Sequence, residues 1–323
     1  MTATPSRTGR RGRRRGEQPM VPDAEFTSYY GRPVVKAAPW GPDIPAYLFL
    51  GGLAGASGVL AAGADLSGRP RLRRSARLGA VGAIMLSLAA LVHDLGRPAR
   101  FLNMLRVAKL TSPMSVGTWI LTAFGPMTGV AAAAELTPLL PRSLRRPLRA
   151  MGRPAGMVAA GLGPLVASYT AVLLADTATP SWHEAYRELS FVFVGSAASA
   201  AGGWAMITVP TGEAGPARRM AVGGALLELA SERRMETSMG LLAEPLHHAT
   251  AGSLMRLSRA FTAAGVTGAV LGRRNRALSA GAGAAFLGGS ALQRFGIFHA
   301  GQQSALDPKY TVVPQRARLT ARS

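Results

Sequence analysis

Eight apolar stretches, most of them near the length that crosses a bilayer, constrain this chain more than any motif in it. They fall at roughly 44–65, 76–95, 115–136, 153–176, 187–210, 217–235, 256–272 and 276–296. A spanning helix needs about 20 largely apolar residues. The first five stretches meet that need. Glu228, Glu232, Arg233 and Arg234 crowd the second half of the sixth, and the last two are short and rich in Gly and Ala. A soluble helical bundle would need a charged outer face on each helix, and residues 115–134 carry no charge at all. The expected fold is therefore an all-α integral membrane protein, with about eight transmembrane helices in two four-helix bundles. The expected division is an Arg-rich tail and lead-in over 1–38, a transmembrane domain over 39–298 and a C-terminal tail over 299–323.

The chain has a formal net charge of +21. Such a balance would suit nucleic acid, but the arginines sit between the apolar stretches, so no nucleic-acid partner is expected. Arg69, Arg71, Arg73, Arg74 and Arg77 lie in one connection, and Arg142, Arg145, Arg146, Arg149 and Arg153 in another. Arg218 and Arg219, then Arg273, Arg274 and Arg276, lie in two more. If eight helices alternate, all four connections share one side, which the positive-inside rule makes cytoplasmic. Both termini then fall on the non-cytoplasmic side of a cell membrane. The arginines between Arg7 and Arg15 read as a basic tail. They precede the first apolar stretch by too far to act as an export signal or to set orientation.

The chain has no cysteine, so it offers no disulfide, thiolate metal site or iron–sulfur ligand. A haem held between helices needs histidines within spans, and His93, His183, His247, His248 and His299 all fall at helix ends or in connections. Neither haem nor metal is expected in this chain. Small residues, among them Gly51, Gly52, Gly55 and Gly58, then Gly195, Ser199 and Gly203, mark faces where helices in lipid approach closely.

Unusual polar residues gather at the outer ends of the first, second and fourth stretches. Asp43 and Tyr47 are four apart and share a helical face, His93-Asp94 closes the second stretch, and Tyr169 lies in the fourth. Phenol, carboxylate and imidazole at one depth would suit a quinone headgroup, whose oxygens accept hydrogen bonds and whose redox chemistry moves protons. Plainer roles fit the same residues: tyrosines as interfacial anchors, Asp43 as an N-terminal cap, His93 at a helix C-terminus. Trp40, Trp119 and Trp182 read as belt aromatics. Glu228 and Glu232 lie inside a span, where carboxylates are costly. They suit either proton transfer or an ion pair, with Arg294 the expected partner.

Several phrases resemble one family. They are Pro39-Trp40-Gly41-Pro42-Asp43-Ile44-Pro45-Ala46-Tyr47, His93-Asp94-Leu95-Gly96-Arg97-Pro98, Ser112-Pro113-Met114-Ser115-Val116-Gly117-Thr118-Trp119 and Ser168-Tyr169-Thr170. Together they resemble the NrfD/polysulfide reductase membrane-subunit family, strongly over about 26–210. The resemblance implies a haem-free quinone-binding anchor, with menaquinone the expected quinone and the site among the first four helices. It also implies an iron–sulfur partner subunit and, beyond it, a molybdopterin catalytic subunit. The quinone-binding candidates are Asp43, Tyr47, His93 and Tyr169, with Asp94, Glu228 and Glu232 for proton transfer and no catalytic residue in this chain. Arg97, Arg100 and Arg106 are the candidates for docking the iron–sulfur partner. The alternative from another class is a transporter or proton-conducting protein built around Glu228 and Glu232.

Overall fold

The computed structural model describes residues 31–97, 99–139 and 141–320. The Arg7–Arg15 cluster lies outside them, as does Pro98. In chain order the α-helices are α1 (Asp43–Leu66), α2 (Pro70–Asp94), α3 (Arg100–Met104), α4 (Pro113–Glu135), α5 (Arg142–Ala175) and α6 (Pro180–Glu184). They continue as α7 (Leu189–Thr208), α8 (Gly215–Met239), α9 (Ala249–Leu271), α10 (Arg276–Leu306) and α11 (Lys309–Thr320). Three of these, α3, α6 and α11, are short. The eight long ones match the eight apolar stretches, and no strand occurs among the described residues.

The long helices form two cyclic sets of four. In the first, α1 packs on α2 and α5, and α4 packs on α5 and α2. In the second, α7 packs on α8 and α10, and α9 packs on α10 and α8. The sets join where α1 lies against α7 and α10, and α5 against α7. Five helices, α1, α2, α4, α5 and α7, are long and apolar enough to cross a membrane by themselves. The other three carry the polar load: Glu228, Glu232 and Glu236 on α8, Arg256 and Arg259 on α9, Gln293 and Arg294 on α10. Glycines set the closest approaches. A Cβ on Gly55 would come within 2.4 Å of the Gly163 carbonyl oxygen, and one on Gly203 within 2.6 Å of the Gly283 carbonyl oxygen.

Side-chain contacts place all four arginine-rich connections at one end. Arg73 binds Asp65 at 3.0 Å and Glu135 at 2.7 Å, and Arg77 binds Glu135 at 2.9 Å. Arg153 of α5 approaches Asp65 at 3.5 Å, so all four helices of the first set are tied there. Arg71 meets Glu213 of the α7–α8 connection at 3.7 Å, and Arg276 donates to the Val209 carbonyl at 3.0 Å.

Two expectations change. Residues 299–306 are core rather than tail: Gly301 lies against the Trp182 ring, and Gln302 donates to the Ala38 carbonyl at 2.9 Å. Trp182 is no belt aromatic. It is 1% exposed, donates to the Ile297 carbonyl at 2.8 Å, and stacks on Trp40 with ring centroids 5.7 Å apart.

Candidate functional site

At the end opposite the four arginine-rich connections, α1, α2, α4 and α5 enclose a cavity of about 140 Å³. Local sequence explains how each wall is delivered. Pro45 falls in the first turn of α1, where its missing N–H costs nothing, and the helix carries Tyr47 inward until it is 2% exposed. The chain leaves α2 through Gly96, whose φ of 66° suits glycine. The start of α4 is Ser112 followed by Pro113 at the first helical position, a favoured pairing of cap and proline. The Ser115 hydroxyl donates to the Val107 carbonyl at 2.9 Å and accepts from the Lys109 N–H at 2.9 Å, which pins the preceding connection onto α4.

Trp40, Tyr47, Asp94, Met104, Thr118 and Tyr169 contribute to the lining. Tyr169 reaches it because Gly117 leaves room: a Cβ there would lie 2.2 Å from the ring's Cε2. The Tyr169 hydroxyl is buried and has no hydrogen-bond partner among the described residues. Leaving such a group unpaired costs about 1–3 kcal/mol, so it is a donor in need of an acceptor. The Gly41 N–H approaches Asp94 Oδ1 at 3.4 Å.

The cavity shares Leu91, Thr118 and Leu121 with a larger, almost wholly apolar cleft of about 420 Å³ between α2 and α4, to which Phe101 and Leu105 also contribute. Cavity and cleft together offer a few polar groups at one end and an almost wholly apolar stretch at the other.

The expected site residues divide. Tyr47, Asp94 and Tyr169 come together in the cavity. Asp43 and His93 do not line it; they pair with each other at its rim, Nδ1 to Oδ2 at 2.8 Å, with the imidazole exposed. Arg97, Arg100 and Arg106 are exposed. Among the described residues none of the three has a carboxylate within 4 Å, and Arg100 makes only a long bond of 3.4 Å to the Leu95 carbonyl.

Glu228 and Glu232 lie in the second set of helices, outside this cavity. Glu228 is not paired directly with Arg294. It accepts from Gln293 Nε2 at 2.7 Å, Gln293 Oε1 accepts from Arg294, and Arg294 donates to the Phe193 carbonyl at 2.8 Å. Its guanidinium also lies 3.8 Å from the Phe193 ring centre. Glu232 pairs with Arg259, Nε and Nη2 reaching the same oxygen at 2.8 and 2.6 Å, and Arg259 also holds Glu236. Arg259 went unread in the sequence. Its signal was there: an arginine inside an apolar stretch needs a carboxylate at its own depth.

The fold and cavity define a multi-pass membrane protein with a small cavity, mostly apolar but carrying Tyr47, Asp94 and Tyr169, at one end of its first four-helix set. The family model described as Polysulphide reductase, NrfD matches residues 34–219, which include every wall of that cavity. The chain belongs to this family. No curated protein matches it.

Proposed function

We propose that this chain is the quinone-exchanging membrane subunit of a multi-subunit oxidoreductase in the cell membrane. The observation that carries the reading is the buried, unpartnered Tyr169 hydroxyl in a cavity that shares Leu91, Thr118 and Leu121 with an apolar cleft. A quinone fits that donor set: its headgroup oxygens accept hydrogen bonds, and its isoprenoid tail is apolar. When bound, the quinone would supply two-electron, two-proton redox chemistry.

The chain's own residues then have distinct tasks. Tyr169 donates to one headgroup oxygen, and Tyr47, in the same lining, presents a second phenol. Asp94 exchanges protons at the cavity wall. The exposed His93–Asp43 pair lies between that wall and the aqueous side and suits proton passage to water. Glu228 and Glu232 supply a second pair of protonatable groups; Arg259 holds Glu232 beside Glu236 as a fixed cation, and His247 lies 3.8 Å from Glu236 toward the surface. Arg97, Arg100 and Arg106 offer a cationic surface beside the cavity for an iron–sulfur subunit, which would link the site to a molybdopterin catalytic subunit. In this orientation the arginine-rich end is cytoplasmic and the cavity faces the other side.

The test is quinone content and quinol-linked turnover of the assembled complex. Quinone should co-purify with the wild-type protein and be lost in the Tyr47→Phe/Tyr169→Phe double variant. No bound quinone in the wild type, together with unchanged turnover in the double variant, would sink the reading.

A further inference from the structure

A second apolar trough runs along the seam between the two helix sets. It has a volume of about 490 Å³ and is walled by α1, α2, α7 and α10, with Phe49, Leu53, Leu86 and Leu287 among its lining. At one end it shares Leu78 and Trp204 with a recess of about 340 Å³ lined by Arg71, Arg74, Ser75 and Thr208. The trough therefore ends on two guanidinium groups at the arginine-rich face.

Three details shape it. Trp204 sits in a notch left by Gly79, where a Cβ would be 2.3 Å from Nε1, and its indole N–H donates to the Ser75 carbonyl at 3.2 Å. Gly82 faces open space in the trough, with no atom within 4 Å of where its Cβ would sit. The arginines differ from their neighbours. Arg73 and Arg77 are engaged by Asp65 and Glu135, whereas Arg71 meets Glu213 alone, its backbone N–H donating at 3.1 Å and its exposed guanidinium approaching at 3.7 Å. The Arg74 guanidinium has neither a hydrogen bond nor a carboxylate within 4 Å among the described residues.

We propose that this seam binds one anionic diacyl phospholipid, with its acyl chains in the trough and its phosphate against Arg71 and Arg74. The charge and the apolar length select the occupant together. A neutral lipid would leave the guanidiniums unused, and a free anion would leave the trough unused. Guanidinium matches phosphate geometry with parallel N–H donors, and basic pockets between transmembrane helices are where anionic headgroups bind. The lipid would bridge α2 of the first set to α7 and α10 of the second.

Native mass spectrometry of the full-length protein in neutral detergent tests this. The probes are dioleoyl phosphatidylglycerol, dioleoyl phosphatidylcholine and inorganic phosphate. The wild type should prefer phosphatidylglycerol. R71Q/R74Q should lower that preference by about thirtyfold, roughly fivefold for each cation at the membrane surface, while R71K/R74K keeps most of it. Gly82→Leu fills open space, so the protein should fold and bind both lipids less well. Bound quinone should stay unchanged in all variants, because the trough and the Tyr169 cavity share no lining residue. Equal binding of the two lipids by the wild type, undiminished phosphatidylglycerol binding in R71Q/R74Q, or full displacement by inorganic phosphate would overturn the proposal.

Discussion

Tyr169 and Gly117 form one unit. The ring occupies the volume that any side chain at 117 would take, and the hydroxyl it delivers has no protein partner among the described residues. Stability and function should therefore separate. Tyr169→Phe removes a buried hydroxyl that nothing satisfies, so the melting temperature of the purified protein should hold or rise, while its quinone content falls. Gly117→Ala should do the opposite to stability. The added methyl forces the ring aside, at about 1–3 kcal/mol for overpacking, and quinone content should fall with it. A Gly117→Ala protein with wild-type melting and full quinone would mean that the ring can sit elsewhere. Arg259 makes a third case. Glu232 is almost fully buried and depends on it, so Arg259→Met should destabilise by about 3 kcal/mol, the scale for stranding a buried charge. Adding Glu232→Leu should recover most of that loss in a thermal melt.

Among the elements, α11 is held by ions rather than by apolar burial; only Tyr310 in it is buried. Lys309 reaches Glu244 at 2.7 Å, and Arg318 reaches Glu184 at 3.2 Å. The hydrogen bond from Lys309 holds the Glu244 carboxyl below the usual carboxylate range, and the same bond raises Lys309. The depressed Glu244 contributes to docking above its unfolded value of about 4.3 and stops contributing as pH falls through its folded value. The raised Lys309 contributes below about 10.4 and stops as pH rises through its own folded value. Protection of the 309–320 amides, measured as exchange relative to the intrinsic rate at each pH, should accordingly be greatest between those limits. Lys309→Met should flatten the acid side of the profile. This element also marks where the sequence was hard to read. Apolarity locates the part of a helix that meets lipid, not the helix itself. The core of each span was therefore legible, yet α5 begins at Arg142 rather than near 153, and α10 runs on to Leu306. Residues 299–306 are polar enough to read as tail, and distant contacts make them core: the Trp182 ring packed on Gly301, Gln302 on the Ala38 carbonyl and Ser304 on the Ser181 N–H. The cavity was legible to the extent that Tyr47, Tyr169 and Asp94 are polar groups at helix ends. That Asp43 and His93 face each other instead depends on the rotation of α1 against α2, which no local pattern fixes.

At the scale of the molecule, the two ends are held by different chemistry. At the arginine-rich end, ion pairs around Asp65 and Glu135 lace the four helices of the first set, and Arg71 reaches Glu213 beside the second. The other end is joined by aromatic packing of Trp40, Trp182 and Phe298 and carries the cavity. The asymmetry carries the proposed orientation, in which the cationic connections would be retained on the cytoplasmic side. The absence of cysteine makes this directly measurable, since any introduced thiol is the only one. Ala108 is exposed beside the cavity, and Ser67 is exposed in the α1–α2 connection at the arginine-rich end. A membrane-impermeant maleimide added to intact cells should label Ala108→Cys and spare Ser67→Cys, and permeabilisation should expose both. The reverse pattern would place the cavity and Arg97, Arg100 and Arg106 on the cytoplasmic side. An iron–sulfur partner would then have to assemble there, and proton exchange through Asp94 would be with the cytoplasm.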